Sequence, residues 1–419
     1  MNEAMSNRRR FLAGCAATTF AAAEGLLGRA AAAQGGPASP GGPAIDCDFP
    51  GGNIIVERIE GDDVFLRQDQ RDTPGFWFYW YFRVRGGEGR SLRFHFTGGN
   101  VIGVRGPAVS TDGGQTWNWL GTESVEGASF AYAFAAEAKE VRFCLAFPYL
   151  EANLQALLRR FRESPYLAVE EHATSRKGRP VRRLRLGRLD GEPDHRVLLT
   201  CRHHCCEMMA SWALEGIIET VLGDTPDGRW FREHVELAVV PFMDVDGVED
   251  GDQGKNRSPH DHNRDYLGES IYPEVAALRA FVPEWSQGRL RIALDMHCPH
   301  IRGRSNTRAG NEDVYFVCGP EAGKWEELER FSAILEEVRQ GPLPYHRAQN
   351  LPHGQMWNTL AEPRSFGRWA SLLPGVLVAA TIEIPYASAG GVMVTDHSAR
   401  ALGGDLARAM RRYLESEAT

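Results

Sequence analysis

The hydrophobic period of this chain changes at Phe147-Pro148-Tyr149, and a single layer architecture cannot accommodate both halves. From Asn53 to Tyr149 apolar residues alternate with others, as in Phe76, Phe78, Trp80, Phe82 and Val84, then Leu92, Phe94 and Phe96, then Val141, Phe143, Leu145 and Phe147. Period two is the signature of half-buried strands. Gly86-Gly87, Gly98-Gly99 and Asp112-Gly113-Gly114 punctuate them at short intervals, so residues 46–149 read as an antiparallel β-sandwich domain. The aromatic run Phe76–Phe82 suits either a carbohydrate-stacking face or core and domain-interface packing, and alternation in strands favours packing.

Beyond Tyr149 apolar strands alternate with helical periods. Leu154, Leu157, Leu158 and Phe161 predict a helix over 150–162. Strands are predicted at 181–186, 196–201, 237–243, 292–297, 314–318 and 376–384, and helices at 207–222, 274–282, 321–339 and 397–414. This is an α/β pattern: a mixed, largely parallel sheet with helices on both faces, over residues 150–416. Open sheets of this kind bind substrates at the carboxyl ends of their strands, so this half carries the chemistry.

A net charge of -8 with no basic block beyond the first residues argues against a nucleic-acid or anionic-membrane partner. The start of the chain, Arg8-Arg9-Arg10-Phe11-Leu12 ahead of an Ala-rich run ending near Ala33, resembles a twin-arginine export signal. Residues 1–33 would then be removed and 34–45 would form a Gly/Pro linker, leaving a periplasmic or secreted protein with no stable membrane association. Leu12-Ala13-Gly14-Cys15 mimics a lipidation box but has no apolar region ahead of it. Seven cysteines follow, at 47, 144, 201, 205, 206, 298 and 318, and no C-x-x-C pair marks a structural zinc site.

Four stretches sit where predicted strands end. His204 and Glu207 stand three apart after the strand ending at Cys201, so an imidazole and a carboxylate can converge on one cation. His297 ends the strand Ile292–His297 and suits a third ligand, with Asp295 placed to orient it; a satisfied core histidine is the alternative. Asp244-Val-Asp-Gly, Arg257 and Asp261-His262-Asn263-Arg264 form a charged loop whose spacing does not fit a calcium site. Glu383 lies inside the apolar strand end Ala380–Ile384, costly to bury without a partner unless it lies on a solvated edge.

Together these residues resemble the zinc metallocarboxypeptidase family, more closely its cytosolic-carboxypeptidase-like branch, over roughly residues 50 to 415 including the Phe147-Pro148-Tyr149 segment. The resemblance implies one zinc ion held by His204, Glu207 and His297. It also implies Glu383 as general base, Asn263 and Arg264 gripping the terminal carboxylate of a peptide, and Arg257 polarising the scissile carbonyl. The substrate-covering tyrosine of many members has no equivalent, because no tyrosine occurs between Leu351 and Ile382. Arg302, Arg304, Arg364 and Arg368 lie near the motif loops and suit an acidic substrate side chain or simple solvation. Three other readings stay open: a zinc amidase on cell-wall peptides, a deacylase of the aspartoacylase type, and a catalytically idle binding protein. The preferred residue and the oligomeric state are not fixed by the sequence.

Overall fold

The computed structural model describes residues 42–302, 311–359 and 363–417. The twin-arginine segment, most of the linker and Arg304 lie outside the described residues. The chain divides after Gln34, and the unit Gly35–Thr419 holds everything that follows.

Two five-stranded sheets precede Tyr149. One orders strands Ala44–Asp46, Tyr81–Arg85, Glu140–Cys144, Ala108–Ser110 and Asn118–Trp119, all antiparallel. The other orders Ile55–Glu60, Asp63–Arg67, Ser91–Phe96, Ser129–Ala133 and Val125–Glu126. Here the antiparallel expectation fails at one place, since Asp63–Arg67 and Ser91–Phe96 run parallel. The intervening strand Tyr81–Arg85 crosses to the other sheet, so the chain returns to the second sheet in its original direction. Phe82, Phe94, Phe130 and Phe143 fill the space between, with Phe94 5.5 Å from Phe82 and 4.8 Å from Phe130. The packing reading of the aromatic run holds for the buried Phe78, Trp80 and Phe82, whereas Phe76 is exposed. Only its last residues form a strand. Tyr79 turns to the second half instead, its backbone N–H donating to Gln253 Oε1 at 2.7 Å.

The second half is built on a seven-stranded mixed sheet. Its order is Leu167–Thr174, Pro180–Gly187, Val235–Val240, His195–Cys201, Leu290–His297, Val378–Glu383 and Tyr315–Cys318. The central pairings among Val235–Val240, His195–Cys201, Leu290–His297 and Val378–Glu383 are parallel, and the outer ones are antiparallel. The sheet is thus parallel at its centre rather than largely parallel throughout. His195–Cys201 and Val235–Val240 are buried along their whole length, which requires cover on both faces.

Helix Met208–Leu222 is buried nearly all round and packs against helix Asp396–Glu415. The two backbones nearly touch: a Cβ on Gly216 would lie 2.0 Å from the Arg400 carbonyl oxygen, and one on Gly403 2.0 Å from that of Ala213. Only glycine allows this approach. One continuous hydrophobic core runs through both halves. Tyr149 joins them, its hydroxyl donating to Glu215 Oε2 at 2.7 Å. No helix among the described residues is long and apolar enough to cross a membrane.

Candidate metal centre and cleft

Strand His195–Cys201 ends in a sharp turn. Arg202 adopts a left-handed conformation with φ 62°, uncommon for a side chain this bulky. Its buried guanidinium holds the turn it starts, donating to the Cys205 carbonyl, to the Tyr149 carbonyl at 2.9 Å and to Ser211 Oγ at 3.2 Å. The strained residue therefore carries its own clamp. His204 and Glu207 follow in that turn, directly ahead of helix Met208–Leu222.

His297 comes from the end of the neighbouring parallel strand, and its donors meet those of the turn. His204 Nδ1 lies 3.1 Å from Glu207 Oε1 and 3.0 Å from His297 Nδ1, and His297 Nδ1 lies 2.6 Å from Glu207 Oε2. All three side chains are buried, and their donor atoms lie within 4.8 Å of one another. Asp295 fixes the ring of His297 from behind, with Oδ2 2.6 Å from Nε2. Its other oxygen meets His203 Nδ1 at 2.7 Å and Thr200 Oγ1 at 2.9 Å. Burial alone would raise the Asp295 carboxyl, but the His203 and His297 imidazoles hold it below the usual carboxylate range.

Glu383 reaches the same place by register. It sits opposite His297 across the parallel pair Leu290–His297 and Val378–Glu383. Its Oε2 is buried without a hydrogen-bond partner. Burial, helped by Glu207 and opposed by His297 and Lys255, pushes its carboxyl up to about 7. A donor set of two imidazoles and a carboxylate, facing an orphaned buried carboxylate oxygen, fits zinc and an adjoining water.

The cleft before these residues measures about 310 Å³ and is lined by His204, His297, Asn263, Arg264 and Glu383. Asn263 and Arg264 lie on the short 3-10 turn His262–Arg264. Asn263 spans the cleft floor, its Nδ2 3.4 Å from His297 Nε2 and its Oδ1 accepting from the Phe366 N–H at 3.0 Å.

Arg257 is placed elsewhere. It faces Asp244 at 2.6 Å, Asp72 at 3.0 Å and Asp252 at 3.2 Å, which ties the loop of the second half to the sandwich. Three carboxylates outcompete the cleft for its charge, so the expectation that Arg257 polarises a substrate carbonyl is corrected. Lys255 lines the cleft instead. Its Nζ lies 2.8 Å from Glu207 Oε1 and 3.0 Å from His204 Nδ1. Burial alone would lower its ammonium, but Glu207 and Glu383 outweigh it and raise the pKa above the ordinary value.

Of the arginines near the motif loops, Arg368 lines the cleft and is paired with Glu321. Arg302 reaches the sandwich, donating to the Ile102 carbonyl. His353 and Trp357 also line the cleft, and Trp357 is half exposed. The described cysteines are all unpaired. Cys205 donates to the Asp252 carbonyl at 3.0 Å, Cys206 accepts from Trp77 Nε1 at 3.3 Å, and burial pushes both thiols up. They are packing groups, not ligands.

Residues 154–305, which contain all three ligands, match the zinc carboxypeptidase family model. A metallo-carboxypeptidase structure from Burkholderia cenocepacia superposes with a TM-score of 0.75 at 20% identity, covering 90% of this chain and 99% of that one. The fold is that of the metallo-carboxypeptidase structures, and the stretch matched by the zinc carboxypeptidase family model carries a metal-binding group of the His-His-Glu type. A metallo-carboxypeptidase from Pseudomonas aeruginosa, solved with (2-guanidinoethylmercapto)succinic acid, gives a TM-score of 0.70 at 22% identity over 89% of this chain and 99% of that one. An uncharacterized protein of Zymomonas mobilis is 25% identical over 61% of this chain and 69% of its own length. Human cytosolic carboxypeptidase 4 is 32% identical over 35% of this chain, which spans only 13% of that protein. The metallocarboxypeptidase family uses one zinc, and the buried His204, Glu207 and His297 are a group of that type.

Proposed function

We propose that the protein removes the C-terminal residue of peptides by zinc-dependent hydrolysis, with Glu383 as general base. The observation that carries this is the buried, unpartnered Glu383 Oε2 beside the convergent donors of His204, Glu207 and His297. Zinc, when bound, supplies Lewis acidity that lowers the pKa of water towards about 7. Glu383 takes a proton from the attacking water as its oxygen adds to the carbonyl carbon, and delivers that proton to the amine as the C–N bond breaks. A carboxyl held near neutrality suits both transfers. Arg264 presents a planar fork for the terminal carboxylate, and Asn263 beside it adds an amide donor, which selects chain ends over internal bonds.

Export through the twin-arginine segment belongs to the same reading and is supported by Arg8-Arg9-Arg10 alone. It would place the substrates among peptides outside the cytoplasm.

The test incubates the protein with a mixed peptide library and follows C-terminal trimming by mass spectrometry, with and without a zinc chelator. Chelator-sensitive loss of single terminal residues is expected. Glu383→Gln should keep one zinc per chain and lose turnover by at least about a hundredfold. A zinc-loaded protein that trims nothing would overturn the reading in favour of amide or wall-peptide substrates.

A further inference from the structure

We infer that Lys255, rather than any arginine, is the catalytic cation that stabilises the oxyanion formed at the scissile carbonyl. The inference rests on the peptidase reading above. A carbonyl attacked in a buried cleft gains negative charge there, and fixed positive groups beside it are the largest single source of rate. Lys255 satisfies the geometric requirement. Its Nζ stands at the edge of the ligand group, 2.8 Å from Glu207 and 3.0 Å from His204, on the cleft that also holds Glu383 and Arg264. An ammonium carries three donors, and because the His204 nitrogen it faces has no lone pair to spare when it holds a metal, at least one donor is left for a substrate oxygen.

The surroundings hold the side chain in that place. Asp72 of the sandwich accepts from the backbone N–H of Gln253 at 2.9 Å and of Gly254 at 2.8 Å, fixing the chain directly before Lys255. Gln253 is itself anchored, its Nε2 donating to the Asp69 carbonyl at 3.0 Å and the Tyr79 carbonyl at 2.9 Å. The face of Trp77 lies 5.0 Å from Nζ and closes the other side with a cation–π contact. Sandwich residues thus position a group that works in the other half of the molecule. The other cation of the loop, Arg257, is engaged by Asp72, Asp244 and Asp252. Arg264 lines the cleft from the 3-10 turn further along the same loop, where it suits the terminal carboxylate.

The experiment compares wild type, Lys255→Met and Lys255→Arg by zinc content, steady-state kinetics and calorimetric binding of two probes: a phosphinic peptide that mimics the tetrahedral intermediate, and an uncleaved product dipeptide. Lys255→Met should retain one zinc per chain and bind the dipeptide as wild type does. It should lose about 10²- to 10³-fold in kcat and a similar factor in affinity for the phosphinic peptide. Lys255→Arg should recover part of both. Unchanged kcat and phosphinic affinity in Lys255→Met would overturn the assignment. So would a variant whose only change is tighter or weaker zinc binding, which would make Lys255 a competitor or support for the metal. Wild type that neither trims peptides nor binds the phosphinic peptide would instead remove the peptidase reading, and this role with it.

Discussion

At the residue scale, the cleft is a set of charges whose partners decide their use. Arg368 lines the substrate side but is already paired with Glu321, so an acidic substrate side chain would have to displace that carboxylate. Glu321→Gln should therefore raise kcat/KM for Glu-ended peptides relative to Leu-ended ones by several-fold, about 1 kcal/mol of partner exchange. Parallel assays of the two peptides would show it, and an unchanged ratio would place Arg368 outside the specificity pocket. Away from the cleft, His172 is neutral by construction: Nε2 lies 2.9 Å from the Glu274 carbonyl and Nδ1 faces Arg183 at 3.3 Å. Burial, with the Arg183 charge adding to it, pushes it down to about 4 from the ordinary 6.5. The folded state then binds fewer protons than the unfolded one between these values, so stability is full above 6.5 and falls as pH drops towards 4. His172→Gln should flatten that fall by up to about 3 kcal/mol, read from urea midpoints at pH 7 and pH 4.5.

The candidate ligands and the candidate base were legible in the sequence because each lies at or just beyond the end of a buried strand, where an ionisable group has few bland explanations. His204, Glu207, His297 and Glu383 stand together as read. Lys255 and Arg257 were not separable. They are cations two positions apart, and Asn256 between them takes a φ of 51°, so the path of the loop and not its spacing decides which side chain enters the cleft.

At the element scale, the contact between helices Met208–Leu222 and Asp396–Glu415 depends on Gly216 and Gly403. Gly403→Ala must push backbone from backbone and should cost about 2–3 kcal/mol, measurable by denaturant titration. A variant within experimental error of wild type would mean the helices separate freely. Asp396–Glu415 was legible from its period, and Met208–Leu222 from its largely apolar run. The edge strand Leu167–Thr174 was not, because only His172 among its residues is buried and a register shift between Glu171 and Ala173 interrupts its alternation. The parallel pairing inside the sandwich was equally hidden, since alternation reports which face is buried and not the direction of the neighbour.

At the scale of the whole molecule, the sandwich is structural material for the cleft. Asn53 Nδ2 donates to the Gly251 carbonyl at 2.7 Å, Asp72 meets Arg257, and Trp77 reaches Cys206. With one continuous core as well, the described chain should unfold in a single calorimetric transition. A chain begun at Leu150 should fail to fold or to retain zinc. Two resolved transitions, or a zinc-loaded fragment, would show the halves to be independent.

The glycine contact also bears on the order of events during synthesis. A chain made from its N-terminus presents His204, Glu207 and His297 well before Gly403 exists to meet the backbone at Ala213 and Gly216. The helix that follows this turn therefore lacks its packing partner until a segment nearly two hundred positions downstream has been made.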